Sequence, residues 1–440
     1  MAVPPARPAP GPWAPVERRA YDVRRLAELS PLVADVAAGG AGSARATARL
    51  REAGELGVAA LIEGLAAERA KAGPDEGRIA RLVAGAERVA MQRHADRSGL
   101  FWHTDLETAL FEAKRLRRPV LSLRLLGGLD EELSCANSRF FRVALYANER
   151  LSHYRSNHYV LHWSTERPAP RVTIDFGDGR TVVRTVTGNS VHYVLDATGR
   201  PVDALPGLYG PWAFQRRLME AEGVAFTSAS QPDADARTTI AAFHQRRLDQ
   251  LEAAWASELA FAGGSPVLRP VGWSPGAGTP NALQAAPIAA AKVAVEMPMV
   301  RALLPVDAAH PVAIDTLPWE AIGSLHRDEA RLDAASRALM REKSPFDWSV
   351  AGAPRPLSDA AFEKLVERFE KTLAIESARN ELTLHATLDA GWATGRELPT
   401  FEALNRKVYA ELFLTPRSDP WLGLLPDDVF SAIDDNGIRR

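Results

Sequence analysis

The sequence predicts an α/β protein: a central mixed-sheet domain flanked by N-terminal and C-terminal mostly helical regions. Three observations carry this. Residues 98–225 alternate strand-like with helix-like segments and include a hairpin, the order of a mixed sheet with helices on its faces. Residues 17–97 are alanine-rich with apolar positions near helical spacing. Residues 230–440 return to helical periodicity, interrupted by Pro/Gly-rich loops.

The bulk numbers fit a globular chain. Its 440 residues suffice for two or three domains. The 53 Lys and Arg against 55 Asp and Glu leave a net charge of −2, no field for drawing in nucleic acid or an anionic membrane. The single cysteine excludes an intrachain disulfide and fits a reducing, cytoplasmic setting. The proline-broken start, Met1 to Arg7, does not read as a signal peptide. The most apolar run, Leu283 to Val306, contains Lys292, Glu296, Arg301 and three prolines, so no membrane span is expected.

The elements follow in order. Residues 1–16 read as a disordered Pro/Ala tail. Within the helical cap of residues 17–97, the stretch from Leu50 to Leu61 resembles one HEAT-type helix, but no second copy follows at a repeat period. Asp105 to Arg115 reads as a helix and Pro119 to Leu126 as a buried strand. Cys135 to Asn148 reads as a helix and Tyr159 to Trp163 as a strand. Val172 to Phe176 and Thr181 to Val186 form a hairpin about Gly177-Asp178-Gly179. Val191 to Asp196 is a further strand, and a helix follows near Pro211 to Ala221. Beyond it, helices are expected over Asp235 to Leu259, Asp328 to Lys343 and Ala360 to Ala390, with Gly263 to Pro280 a loop and Pro416 to Pro426 an ordered coil.

The lone cysteine sits in Ser134-Cys135-Ala136-Asn137-Ser138. It reads as a packed small residue, a reactive thiol, or an accident of composition. A thiol at a helix start is favoured as thiolate by the helix dipole and free backbone N–H groups, with Ser134 expected as N-cap. Arg139 and Arg142 act in the same direction, and Asp130, Glu131 and Glu132 act against it.

Residues 101–218, about a quarter of the chain, resemble a thioredoxin-like domain of the single-cysteine kind. The resemblance rests on Trp102, Ala109, Ala113-Lys114 and Arg118-Pro119-Val120-Leu121, then Cys135 and a helix ending near Ala147-Asn148-Glu149. It continues in Asn157-His158-Tyr159-Val160, Tyr193 to Arg200 and Leu205-Pro206-Gly207. It implies monothiol chemistry, because Cys135-Ala136-Asn137-Ser138 puts Ser138 where a resolving cysteine would stand. The partner would be a protein disulfide or a glutathione-type thiol, with no cofactor. Ser134, Asn137, Ser190 and His192 would then face the substrate. Two features depart from the family: Leu133-Ser134 replaces the usual tryptophan before the motif, and Gly188-Asn189-Ser190-Val191 lacks the proline that should face it. The alternative is a catalytically inactive thioredoxin-fold module that binds a protein partner.

Other motifs carry less. Gly272-Trp273-Ser274-Pro275-Gly276 matches a nucleophile-elbow pattern, but Pro275 has no N–H for an oxyanion hole. Asp175-Phe176-Gly177 is a hairpin turn without the rest of a kinase. On one strand, His158 and His162 would stand roughly 13 Å apart, too far to share a metal. His192 could pair with Cys135 to activate the thiol or bind a metal. Glu381, His385 and Asp389 share a helix face and, with Glu376 and Arg379 nearby, read as a solvated charged face; His326 and Glu329 read likewise. Tyr409, Phe413, Trp421 and Phe430 are expected to anchor the C-terminal coil.

Overall fold

A computed structural model describes residues 23–186, 188–263, 282–285, 288–289, 300, 318–347, 354–395, 399–425, 433, 435 and 438. The Pro/Ala tail, the nucleophile-elbow pattern and Phe430 lie outside them. The N-terminal helices are α1 (Val23–Ala38), α2 (Ala41–Glu52), α3 (Glu55–Arg69), α4 (Glu76–Ala90) and the short α5 (Ala95–Ser98). They share an apolar core of their own built on Leu50, Val58, Leu61 and Val89. Gly57 makes the α2–α3 corner possible, since a Cβ there would stand 1.9 Å from the Leu50 carbonyl oxygen. Arg51 ties this layer to the next, donating to the carbonyls of Val89 at 2.7 Å and Trp102 at 2.6 Å.

The sheet begins after α6 (Leu106–Leu116), which Asp105 caps by accepting from the Thr108 backbone N–H at 2.8 Å. Strand β1 (Val120–Leu126) is buried along its whole length, as a central strand covered on both faces must be. The chain then forms α7 (Ala136–Phe141), a π turn over Arg142–Tyr146, α8 (Glu149–His158) and β2 (Val160–Arg167). β2 lies parallel to β1 with Val120 opposite Val160. β5 (Val191–Leu195) runs antiparallel on the other side of β1, and β6 (Pro201–Pro206) antiparallel to β5, giving the order β2-β1-β5-β6. The hairpin β3 (Arg171–Asp175) and β4 (Thr181–Thr185) forms in the expected register but as a separate, largely exposed two-stranded ribbon. Its apolar side is left largely uncovered, with Ile174 and Phe176 exposed.

The edge strand β6 is as buried as the centre. Helix α9 (Pro211–Ser228), the 29-residue α10 (Asp233–Phe261) and the C-terminal helices cover it. The expected long helix over Ala360 to Ala390 is a helix at Asp359–Arg379, a π segment at Asn380–His385 and a helix at Ala386–Ala393. Asn380, at the junction, donates from Nδ2 to the Leu208 carbonyl at 2.8 Å. The expected helix over Asp328 to Lys343 splits into a 3-10 turn at Arg327–Ala330 and a helix at Ala334–Lys343, which Asp333 caps. Among the described residues, no helix is long and apolar enough to cross a membrane.

What fastens the C-terminal helices to β6 is a buried ion network rather than apolar contact alone. Asp203 on β6 accepts from Arg247 of α10 at 2.9 Å and from His385 at 2.7 Å. Replacing Asp203 with Ala strands two buried cationic or polar partners, and urea unfolding is expected to show a loss of about 3–5 kcal/mol. Asp178→Ala, which removes an exposed pair with Arg180 on the ribbon, is expected to leave the urea midpoint unchanged.

Candidate functional site

Two places gather chemically capable side chains. The first surrounds Cys135. After β1 the chain turns at Gly127, whose φ of 75° lies in the left-handed region, and passes through a loop to the head of α7. Arg142 is buried and donates to the carbonyls of Glu131 at 2.6 Å and Glu132 at 3.2 Å, stitching that loop to the helix it feeds. Burial lowers its pKa to about 10, so it stays charged at neutral pH.

Cys135 itself, rather than Ser134, occupies the N-cap position, with φ −57° and ψ 157°, and its side chain caps no backbone N–H. Ser134 faces inward: its Oγ lies 2.7 Å from Ser138 Oγ and 3.4 Å from an Arg142 nitrogen. Cys135 Sγ lies 2.9 Å from Ser190 Oγ and donates toward Ser138 Oγ at 3.4 Å. The structure therefore brings Ser134, Cys135, Ser138 and Ser190 together, from both ends of the sheet unit.

The thiol is enclosed. Cys135 is 1% exposed. Gly188 lies directly over it, where a Cβ would stand 2.3 Å from Cys135 Cβ. The segment bearing that glycine is held from two directions. Gly207 N–H donates to the Ser190 carbonyl at 2.9 Å. Tyr409 Oη donates to the Asn189 carbonyl at 3.1 Å, and Asn189 Nδ2 to the Phe413 carbonyl at 3.4 Å.

Two other sequence-predicted residues stand apart from the thiol's hydrogen bonds. Asn137 is buried with neither amide atom hydrogen-bonded. His192 is buried, with Nε2 2.7 Å from Tyr146 Oη and its ring against Phe141 and Phe214. Burial holds its pKa well below the usual imidazole range, so it is a neutral core residue. It makes no hydrogen bond to Cys135. His158 pairs with Glu222 at 2.8 Å, and His162 with Ser122 at 2.8 Å, on separate elements.

The second place is one that sequence reading takes for a solvated face. Glu381, His385 and Asp389 are 3%, 0% and 0% exposed. Helices α9 and α10 cover that face and supply its countercharges. His244 of α10 presents Nδ1 to Asp389 at 2.6 Å and Nε2 to the Val202 carbonyl at 2.9 Å. Both ring nitrogens of His244 are thus engaged, each against an oxygen acceptor. His385 donates from Nε2 to Asp203 and accepts at Nδ1 from Arg247 at 3.0 Å. Asp203, His244 and Asp389 have metal-ligand proximity. Yet Arg247 spans the carboxylates, 2.9 Å from Asp203 and 3.7 Å from Asp389. Arg247 and the two histidines thus already occupy Asp203 and one oxygen of Asp389, the ligand atoms a metal would need. A sequence signal for this network exists in retrospect: His244 falls in the stripe Ile240, His244, Leu248, Leu251, Trp255, among residues that must be buried.

Beside this network lies a cavity of about 460 Å³, walled by α9, α10 and the C-terminal helix face. Arg217 forms a bidentate pair with Glu381, at 3.1 and 2.7 Å, and Arg216 bridges Glu381 and Glu329. His326, also read as solvated, is 2% exposed between Glu258 at 3.2 Å and Glu329 at 3.5 Å. Burial alone would lower its pKa, but these carboxylates overcome that and raise it to about 9.

Comparisons with protein-family models, with curated proteins and with solved structures find no match to this chain.

Two outcomes are expected. Gly188→Ala pushes a methyl into Cys135 and should cost about 1–3 kcal/mol in denaturant unfolding. His326 binds its proton more tightly folded than unfolded, so its stabilisation is complete below pH about 6.5 and is lost as pH rises through about 9. Thermal melts should therefore fall across that window, and His326→Gln should flatten this part of the profile.

Proposed function

We propose that this chain is a protein-binding scaffold built on a thioredoxin-like domain, in which the Cys135 thiol is a packed group rather than an exposed nucleophile. Three features support the domain reading. β1 and β2 are parallel and joined through helices, β5 and β6 follow antiparallel, and a helix closes the unit. Cys135 stands at the head of the helix after the first strand, and Ser190, just before β5, faces it at 2.9 Å. Both positions are those the resemblance implies.

The observation that carries the scaffold reading is the enclosure of Sγ at 1% exposure under Gly188. Thiol–disulfide exchange needs in-line approach of a second sulfur, and Ser138, Ser190 and Gly188 fill that space. The kind of partner follows from a cleft of about 400 Å³ beside α7. Its walls are apolar, with Phe140, Val143 and Phe369 among them, and Arg139, Lys343 and Arg368 stand against one acid, Glu132. That combination suits an acidic protein segment with an apolar anchor.

Monothiol exchange is the second reading, favoured by the place of Cys135 at the head of α7, where the resemblance would put a nucleophilic cysteine. The two separate on exposure to oxidised glutathione. In exchange, the Cys135 thiolate attacks one glutathione sulfur, forming a mixed disulfide and releasing one glutathione thiolate. The scaffold reading expects mass spectrometry to find no adduct on the native protein and full adduct once it is denatured. Adduct formation on the native chain at a rate comparable to the denatured one would overturn the scaffold reading in favour of exchange.

A further inference from the structure

The cavity between α9, α10 and the Asp359–Arg379 helix with its π extension is lined by three guanidinium groups, Arg216, Arg217 and Arg247, and the His326 imidazole, against three carboxylates, Glu220, Glu258 and Glu381. A guanidinium offers five N–H groups. Arg217 makes three hydrogen bonds, two to Glu381 and one to Glu220. Arg216 also makes three, two to Glu329 and one to Glu381. Arg247 makes its hydrogen bonds to Asp203 and His385. On the acceptor side, Glu381 takes Arg216 and Arg217 on one oxygen and Arg217 on the other, and Glu220 takes Arg217.

The wall is also unusual in what it buries. Arg217, Arg247 and Glu381 are 7%, 3% and 3% exposed, yet they border open space instead of packed side chains. Buried ion pairs cost desolvation that apolar packing would avoid, so a cluster retained around a cavity is a mark of a ligand site. Leu251, Ala254, Ala378 and Leu382 give the lining an apolar side. The volume of about 460 Å³ is that of a small-molecule site.

We infer that this cavity binds a small organic oxyanion, its carboxylate or phosphate held by the Arg216, Arg217 and Arg247 side and its short apolar body against Leu251 and Ala254. This site is independent of Cys135 and of the protein-binding cleft. Guanidinium groups match both oxyanions bidentately, so the anionic group is the shared chemistry and the two are separated by the probe.

The test is isothermal titration of the full chain with phenyl phosphate and, separately, benzoate, each against sodium chloride at matched ionic strength. Saturable binding of at least one probe is expected; the stronger binder identifies the anion. Ala254→Phe fills the cavity without touching any ion pair and is expected to weaken binding about tenfold or more. Gln250 lies exposed on the rim, so its variants leave the fold intact even if Ala254→Phe does not fold. Gln250→Glu should weaken binding about threefold and Gln250→Lys should strengthen it by a similar factor. No saturable binding of either probe would overturn the inference. So would equal affinity in Gln250→Glu and Gln250→Lys, which would place the anion elsewhere.

Discussion

The hydrogen-bonded ion network centred on Asp203 is the contact on which the arrangement of the C-terminal half depends. Asp203 projects from an edge strand, and an edge strand left open offers its unpaired backbone to any other chain. Here the edge is covered by α10 and the π segment Asn380–His385, which reach it through Arg247, His244, His385 and Asp389. Such a network is not the cheapest way to hold helices against a sheet, because two buried carboxylates must be matched charge for charge. It does fix one register. A one-turn slip of α10 would take Arg247 from Asp203 and His244 from Asp389 in the core, whereas an apolar stripe would tolerate the slip.

From that register the roof over the thiol follows. The C-terminal chain that runs on from the network includes Phe401, which packs on Tyr193 with ring centroids 5.0 Å apart, and Asn405, which accepts from Tyr193 Oη at 3.1 Å. The same segment delivers Tyr409 and Phe413 to Asn189. Those two hold the 188–190 segment over Cys135. Residues more than 200 positions from the cysteine therefore decide whether its sulfur meets solvent. An isolated sheet domain cut from this chain would present a different thiol from the one in the full protein.

The parts legible in sequence were those governed by local rules. Asp105, whose carboxylate caps the helix it precedes, and Gly177 and Gly179, whose backbones make the hairpin turn, act on their nearest neighbours in the chain. The largely apolar run Val120 to Leu126 reads as a buried strand, and it is the fully buried β1. What the sequence concealed depends on distant partners. His385 and Asp389 look like solvent-facing charges until α10 is laid over them, because i,i+4 spacing gives the same pattern in water and in a buried network. The π segments at Arg142–Tyr146 and Asn380–His385 have no composition of their own; each shifts the helix register where a buried polar group meets the sheet unit. Around the cysteine, Ser134 was the better N-cap by residue type, yet tertiary contacts turn its hydroxyl to Ser138 and leave the cap position to Cys135. The closeness of Ser190 to Cys135 was legible only through the resemblance to a fold, and a packed thiol was one reading of the lone cysteine that the residues alone did not decide.

The enclosure of Cys135 is tested most directly by its alkylation rate under native conditions as urea is raised toward the unfolding transition. If the thiol is exposed only when the network and the C-terminal roof release together, the opening free energy will equal that of global unfolding and fall with the same urea slope. A rate already close to that of the denatured chain in the absence of urea, and insensitive to urea below the transition, would mean that the sulfur is open in the native state and would contradict this account.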